Sequence, residues 1–172
     1  MASDDVPEMT YRHLGDSGLV VSTVGLGGNT LGARIDAATT RSVVHAALDA
    51  GVTLVDCAEL YGTEPGQSEA LLGEALRGRR DEVVLATKFG HPDGRVDAPA
   101  WEAHGSRSAV RRAVEGSLRR LGTDRADQWA ADPPAEDALD ERCGDLAAGR
   151  ETGGPRVLPC AILSTGVSPC PP

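Results

Sequence analysis

Two mostly apolar runs of strand length, Val52–Val55 and Val83–Ala86, are separated by a segment with helical periodicity, and helical segments also flank them on either side. Strands that are apolar along their whole length are buried on both faces, and strands alternating with amphipathic helices form a parallel sheet with helices packed over it. The flanking signals agree. Asp36 is placed to cap a helix running to Ala50, with Val43, Val44, Ala47 and Leu48 on one face and Gly51 as its stop. Ser68 to Leu76 has helical spacing through Leu71, Leu72 and Leu76. Ser106 is placed to cap a third helix, where Val110, Val114, Leu118 and Leu121 share a face and Gly122 ends it.

This order is compatible with a closed barrel and with an open doubly wound sheet. Two polar residues stand where a barrel would carry its chemistry. Asp56 and Lys88 both fall at the C-terminal ends of strands, and in a (β/α) barrel those ends form the catalytic rim. The glycines in which the strand-like stretch Val20–Leu26 ends, Gly25, Gly27 and Gly28, do not make the GxGxxG pattern of an open-sheet dinucleotide site. Upstream, residues 1–9 read as a flexible leader. Thr10–Ser22 reads as two short strands around the turn Gly15-Asp16-Ser17-Gly18.

Beyond Asp124 the pattern weakens. The segment RADQWAAD, Arg125–Asp132, makes a poor fourth strand, and seven of the eleven prolines lie after it. Val157–Leu163 is apolar but interrupted by Pro159. The sequence thus divides into the leader, a folded part at 10–132, and a loosely ordered tail at 133–172.

Composition limits the partners and the compartment. A formal net charge of −9 speaks against nucleic acid and anionic membrane, both polyanions, and is read as a solubilising charge. Aromatics are 3% of the chain, so the core has to rest on Val, Leu and Ala. The four cysteines form no CxxC pair and no histidine stands at metal-ligand spacing from them, so no metal site is expected. With no signal-peptide pattern and no run long enough to span a membrane, the expected location is the cytoplasm. Of the 17 basic residues only Lys88 is a lysine. Guanidinium stays protonated whereas an ammonium can be tuned, so the lone lysine stands out before any motif is considered.

Four ordered blocks, MTYRHLGDSGLVVSTVGLGGNTLG, VDCAELYG, QSEALLGEALRGRRDEVVLATKFG and VEGSLRRLGTDRAD, closely resemble successive blocks of aldo-keto reductases. The resemblance runs from about Met9 to about Asp127. It implies a partial (β/α)8 TIM barrel, its first three to four units, with an N-terminal hairpin covering the barrel bottom. It also implies reduction of a small aldehyde or ketone by hydride transfer from NADPH, without a metal. The family's catalytic tetrad is Asp, Tyr, Lys and His. By position Asp56 is the acid, Tyr61 the proton donor and Lys88 the lysine. A free phenol, with a pKa of about 10, is a weak acid at neutral pH, and a neighbouring ammonium favours its ionised form. That is the task the resemblance gives Lys88, with Asp56 holding the ammonium in place. Gly28, Asn29 and Thr30, together with Asp56, correspond to the approach to the nicotinamide end of the cofactor, although Gly27–Thr30 reads equally well as a glycine-rich turn. Cys57 reads as a small core residue, and the pairs Arg79-Arg80 and Arg111-Arg112 as helix-end or solvated charges.

The resemblance has two breaks. Where the family's fourth strand ends in the tetrad histidine, the aligned residue here is Asp132, and all four histidines, His13, His45, His91 and His104, precede it. The loops that hold the adenosine phosphate end of NADPH belong to the family's C-terminal half, which has no counterpart in the segment that matches. An open half-barrel of this kind is expected to aggregate, to pair with a second copy or a partner chain that covers it, or to fail to fold stably. The divergent tail reads as a truncated or frame-shifted copy in preference to an extension. The alternative function is a non-catalytic remnant or a partner-binding half-barrel.

Overall fold

The computed structural model describes residues 8–91, 106–131 and 156–157. Strands β1 (Tyr11–His13) and β2 (Val20–Ser22) form an antiparallel hairpin, with Tyr11 opposite Ser22. Then come β3 (Gly25–Gly27), α1 (Ala37–Asp49), β4 (Leu54–Asp56), α2 (Gln67–Ala75), β5 (Val84–Phe89), α3 (Arg107–Leu121), β6 (Arg125–Ala126) and β7 (Gln128–Ala131). A two-residue strand, β8 (Arg156–Val157), lies parallel to β6. The main sheet runs β3-β4-β5-β7 with every neighbouring pair parallel. Consecutive strands sit side by side with helices between them, which is the opening portion of a (β/α) barrel.

The helix signals in the sequence are used as expected. The Asp36 carboxylate accepts from the Thr39 N–H at 2.8 Å and the Ser106 hydroxyl from the Ala109 N–H at 3.1 Å. Gly122 ends α3 in the left-handed region, φ 63°. One face was read too broadly: Val44 and Leu48 are buried, whereas Val43 is 38% exposed and lies outside the seam. The single strand-like stretch Val20–Leu26 is likewise split into β2 and β3. At the break the Ser22 hydroxyl donates to the Val24 carbonyl at 2.6 Å, and Ser22 and Thr53 exchange side-chain to backbone hydrogen bonds at 2.8 and 2.9 Å. With the Tyr11 hydroxyl donating to the Gly51 carbonyl, these bonds tie the hairpin to the N-terminal ends of the strands, the barrel bottom.

The fourth strand forms despite its poor sequence signal. Trp129 is paired with Thr87 and faces the helices, where it stacks on Phe89 with ring centroids 5.5 Å apart. These two rings, with Val110, Val114 and Ala126, make a second core beside the main one of Leu31, Val44, Val55, Leu72, Leu76 and Leu85. Burying a large aromatic surface outweighs the weak strand propensity of alanine and glutamine. Arg80, read from the sequence as a solvated or helix-end charge, is drawn inside. It donates to the carbonyls of Val83 and Arg125 at 3.0 and 2.9 Å and to the Asp127 carboxylate at 2.8 Å. Asp127 also accepts from the Leu85 N–H, so this ion pair fastens β5 to the segment that opens the fourth strand.

Helix α2 packs closely on the end of α3 because Gly73 has no side chain. A β-carbon there would lie 2.5 Å from the Leu121 carbonyl oxygen and 2.6 Å from its carbon, both backbone atoms that cannot swing aside. Alanine in place of glycine favours a helix by about 1 kcal/mol, but overpacking against backbone costs about 1–3 kcal/mol or more. Gly73→Ala is therefore expected to lower stability by about 1–2 kcal/mol in urea unfolding. An increase would mean that the two helices can move apart freely.

Candidate active site

The strand register sets the geometry of the site. Gly27 is level with Asp56, and Asp56 with Ala86, so the ends of β3 and β4 and the middle of β5 lie side by side. Side chains alternate along β5. Leu85, Thr87 and Phe89 are buried, Thr87 against α2 and Phe89 against α3. Lys88 is thereby turned to the opposite face, toward Asp56. Its ammonium donates to both Asp56 carboxylate oxygens at 2.6 Å, to the Cys57 carbonyl at 3.0 Å and to the Tyr61 hydroxyl at 3.4 Å. It also lies 5.1 Å from the centroid of the Tyr61 ring, within range of the ring's negative face.

All three residues singled out in the sequence thus meet at one point, although they come from two strand ends and a loop. The loop is held down by backbone bonds to β5: Cys57 N–H to Ala86 and Glu59 N–H to Lys88, at 2.9 and 3.0 Å. Burial opposes charge on Lys88, but the hydrogen bond and charge of Asp56, with a smaller contribution from Tyr61, overcome it and hold the lysine above its ordinary value of 10.5. The stability this pairing supplies is fully present below the unfolded lysine's pKa and is lost as pH rises through the higher folded value. The unfolding midpoint should therefore decline on the alkaline side, as pH rises past the ordinary lysine value of 10.5. In Lys88→Met that decline should flatten. An identical alkaline slope in both proteins would contradict the pairing.

Gly28 sits directly behind the site. Its N–H donates to the Asp56 carbonyl at 2.7 Å, and a β-carbon on it would stand 3.1–3.2 Å from that carbonyl, Cys57 Sγ and Ser68 Oγ. Close packing alone accounts for a glycine at 28. Gly27, by contrast, has open space where a side chain would be, Asn29 is exposed and Thr30 half-buried. The end of β3 therefore leaves open space at Gly27, which is level with Asp56. Cys57 is a core residue, fully buried, with its thiol pushed up to about 12 by burial. Asp132, the residue aligned with the family's histidine, lies outside the described residues. Of the histidines, His13 is in the bottom hairpin and His45 bonds the Ala75 carbonyl on the outer helices.

The sequence reading missed a second layer of polar residues beneath the first. Glu69 is fully buried, accepts from the Thr87 hydroxyl at 2.6 Å and pairs with Arg120 Nε at 2.7 Å. Arg120 reaches Glu59 at 3.4 Å as well. A signal for it exists: Glu69, Leu72 and Leu76 share one helical face, so a carboxylate occupies a core-facing position. Among the described residues no group of acidic, histidine and cysteine side chains is arranged to hold a metal, and no helix is long and apolar enough to cross a membrane.

Comparison with known proteins bears on the family and the fold. The model of the aldo/keto reductase family matches residues 23–156. The chain is 38% identical to aldo-keto reductase YhdN of Bacillus subtilis over 132 residues, which cover 70% of this chain and 37% of that protein. It is 37% identical to a 6-dehydroglucose reductase of Novosphingobium aromaticivorans over 135 residues, 72% of this chain and 41% of the relative. Aldo-keto reductase AKR11C1 of Bacillus halodurans, solved in its holo form, superposes with a TM-score of 0.66 at 34% identity, covering 81% of this chain and 47% of that one. The chain spans about two fifths of the length of the curated relatives it matches. The family match over most of the sequence, the parallel sheet with its helices, and identities in the upper thirties together place the chain in the aldo/keto reductase family.

Proposed function

We propose that this chain carries the proton-donating half of an NADPH-dependent reductase for small aldehydes or ketones. The observation that supports this most is the single ammonium held by a carboxylate at 2.6 Å and set 3.4 Å from a phenol oxygen, at the C-terminal end of a parallel sheet. Hydride addition to a carbonyl carbon places negative charge on its oxygen, so a proton must be delivered there as the charge develops. Tyr61 is the donor in this reading. As its O–H bond breaks, the Lys88 ammonium stabilises the phenolate left behind, at no cost of reorientation because Asp56 and the Cys57 carbonyl already fix it. NADPH, when bound, supplies the hydride. Gly28, Asn29, Thr30 and Asp56 are the residues that border its nicotinamide end, and the open space at Gly27 is consistent with a planar ring there. The products are an alcohol and the oxidised cofactor.

A second reading, a non-catalytic family member that works through a partner, is favoured by one feature. Asp132 stands where the family places histidine, and a carboxylate near the reacting oxygen would oppose the charge that develops on it. Among the described residues β3 and β7 each pair on one side only. A second copy or another chain is the partner this reading requires, and a cytoplasmic setting suits both readings.

The test is to titrate the chain with NADPH by cofactor fluorescence and then add a small aldehyde or ketone. Saturable binding followed by carbonyl-dependent NADPH oxidation supports the reductase. Binding without oxidation favours the second reading, and folded protein that binds no cofactor sinks the first.

A further inference from the structure

Gln67 and Ser68, the first two residues of α2, touch both the loop that carries Tyr61 and the loop after β3. Gln67 Oε1 accepts from the Thr63 N–H and from the Thr63 hydroxyl, each at 2.8 Å. The same side chain fills the space beside two glycines in different loops. A β-carbon on Gly32 would stand 2.6 Å from Gln67 Cδ, and one on Gly62 would stand 2.7 Å from Gln67 Cβ. Both glycines have positive φ, 79° and 122°, so each loop bends sharply where it meets Gln67. Ser68 is fully buried beneath them. Its hydroxyl donates to the Gly28 carbonyl at 2.7 Å and its N–H to the Tyr61 carbonyl at 3.1 Å. The loop after β3 and the loop carrying Tyr61 therefore share one anchor.

We propose that Gln67 and Ser68 are positioning residues that hold the Tyr61 loop in register with Lys88 and with the loop after β3. The inference rests on the reductase reading, in which Tyr61 gives up the proton. The bonds from Cys57 and Glu59 to β5 secure the start of the loop; Tyr61 lies beyond them, its N–H bonded to the Ala58 carbonyl within the loop at 3.1 Å and not to the sheet. The Tyr61 oxygen is already 3.4 Å from the ammonium, near the limit of a hydrogen bond, so a shift of about 1 Å would break the contact. Displacements of that size in reacting groups cost rate even when fold and cofactor binding survive.

Lys88 is the sole lysine and Tyr61 one of two tyrosines, so the full chain made with lysine isotope-labelled only at its ε-carbon gives one side-chain methylene signal by NMR. The ammonium's place over the Tyr61 ring subjects that methylene to the ring current. In Gln67→Ala the Lys88 methylene signal is expected to move toward the position of free lysine, and its through-space contact with the Tyr61 ring should disappear. Gln67→Glu keeps an oxygen that accepts from Thr63 and should retain both. Thr63→Ala, at an exposed position, should shift the signal less and in the same direction. An unmoved Lys88 signal in Gln67→Ala, with only a lowered unfolding midpoint, would overturn the proposal, as would equal displacement in Gln67→Ala and Gln67→Glu. Should Gln67→Ala fail to fold, an unmoved signal in Thr63→Ala overturns it. A wild-type chain that neither binds nor oxidises NADPH sinks the reductase reading, yet the lysine signal still decides whether the bracket holds the loop.

Discussion

Glu69→Ala is expected to lower the unfolding free energy by about 3–5 kcal/mol, the loss typical when one partner of a buried ion pair is removed. The size follows from what the substitution strands. Arg120, whose side chain is 17% exposed, loses its 2.7 Å partner and keeps only Ser117 at 3.2 Å and Glu59 at 3.4 Å. The Thr87 hydroxyl, fully buried, loses the oxygen it donates to. A cavity the size of a carboxymethyl group is added to both. Glu69→Gln keeps the shape and an acceptor for one of the two donors, so it should cost less, about 1–3 kcal/mol. Removing the pair together, as Glu69→Leu with Arg120→Leu, should be milder than Glu69→Ala alone, because neither charge is left unpaired. Urea unfolding of the four proteins measures this. A loss below about 1 kcal/mol in Glu69→Ala would mean that water reaches the site and that the layer beneath Lys88 is not dry.

That layer also marks where reading the sequence stopped short. Asp56, Tyr61 and Lys88 were legible because each stands at a strand end or just after one within a recognisable block, and the register Gly27-Asp56-Ala86 then brings them together. Caps were legible for a similar reason: Asp36 and Ser106 act on backbone groups three residues away, so nothing distant has to be known. Contacts made across the fold were not. Arg80 and Arg120 look like any other arginine in a chain that uses arginine almost throughout, and their partners Asp127 and Glu69 lie 47 and 51 residues away. The fourth strand was misjudged because Trp129 gains its stability from Phe89, forty residues earlier and on a neighbouring strand. Propensity counted over RADQWAAD carries none of that pairing.

Within the reductase reading, Tyr61→Phe is expected to reduce NADPH-dependent carbonyl reduction by about 10²–10⁴-fold, the usual contribution of a positioned proton donor. That corresponds to about 3–5 kcal/mol of barrier. The substitution removes one oxygen atom and leaves the ring, so the contact between the ring and the Lys88 ammonium should survive. Lys88 also keeps its bonds to Asp56 and to the Cys57 carbonyl, and the chain should fold as before. Cofactor affinity should change little, because no part of the proposed nicotinamide border involves the phenol oxygen. A fall in kcat with an unchanged NADPH dissociation constant is thus the expected signature. Lys88→Met offers the contrast: it leaves the hydroxyl but strips its charged neighbour and strands the half-buried Asp56 carboxylate, so both rate and stability should drop. If Tyr61→Phe reduces carbonyls as fast as the wild type, Tyr61 is not the proton donor, and whatever activity the chain has must draw its proton from another group or from water.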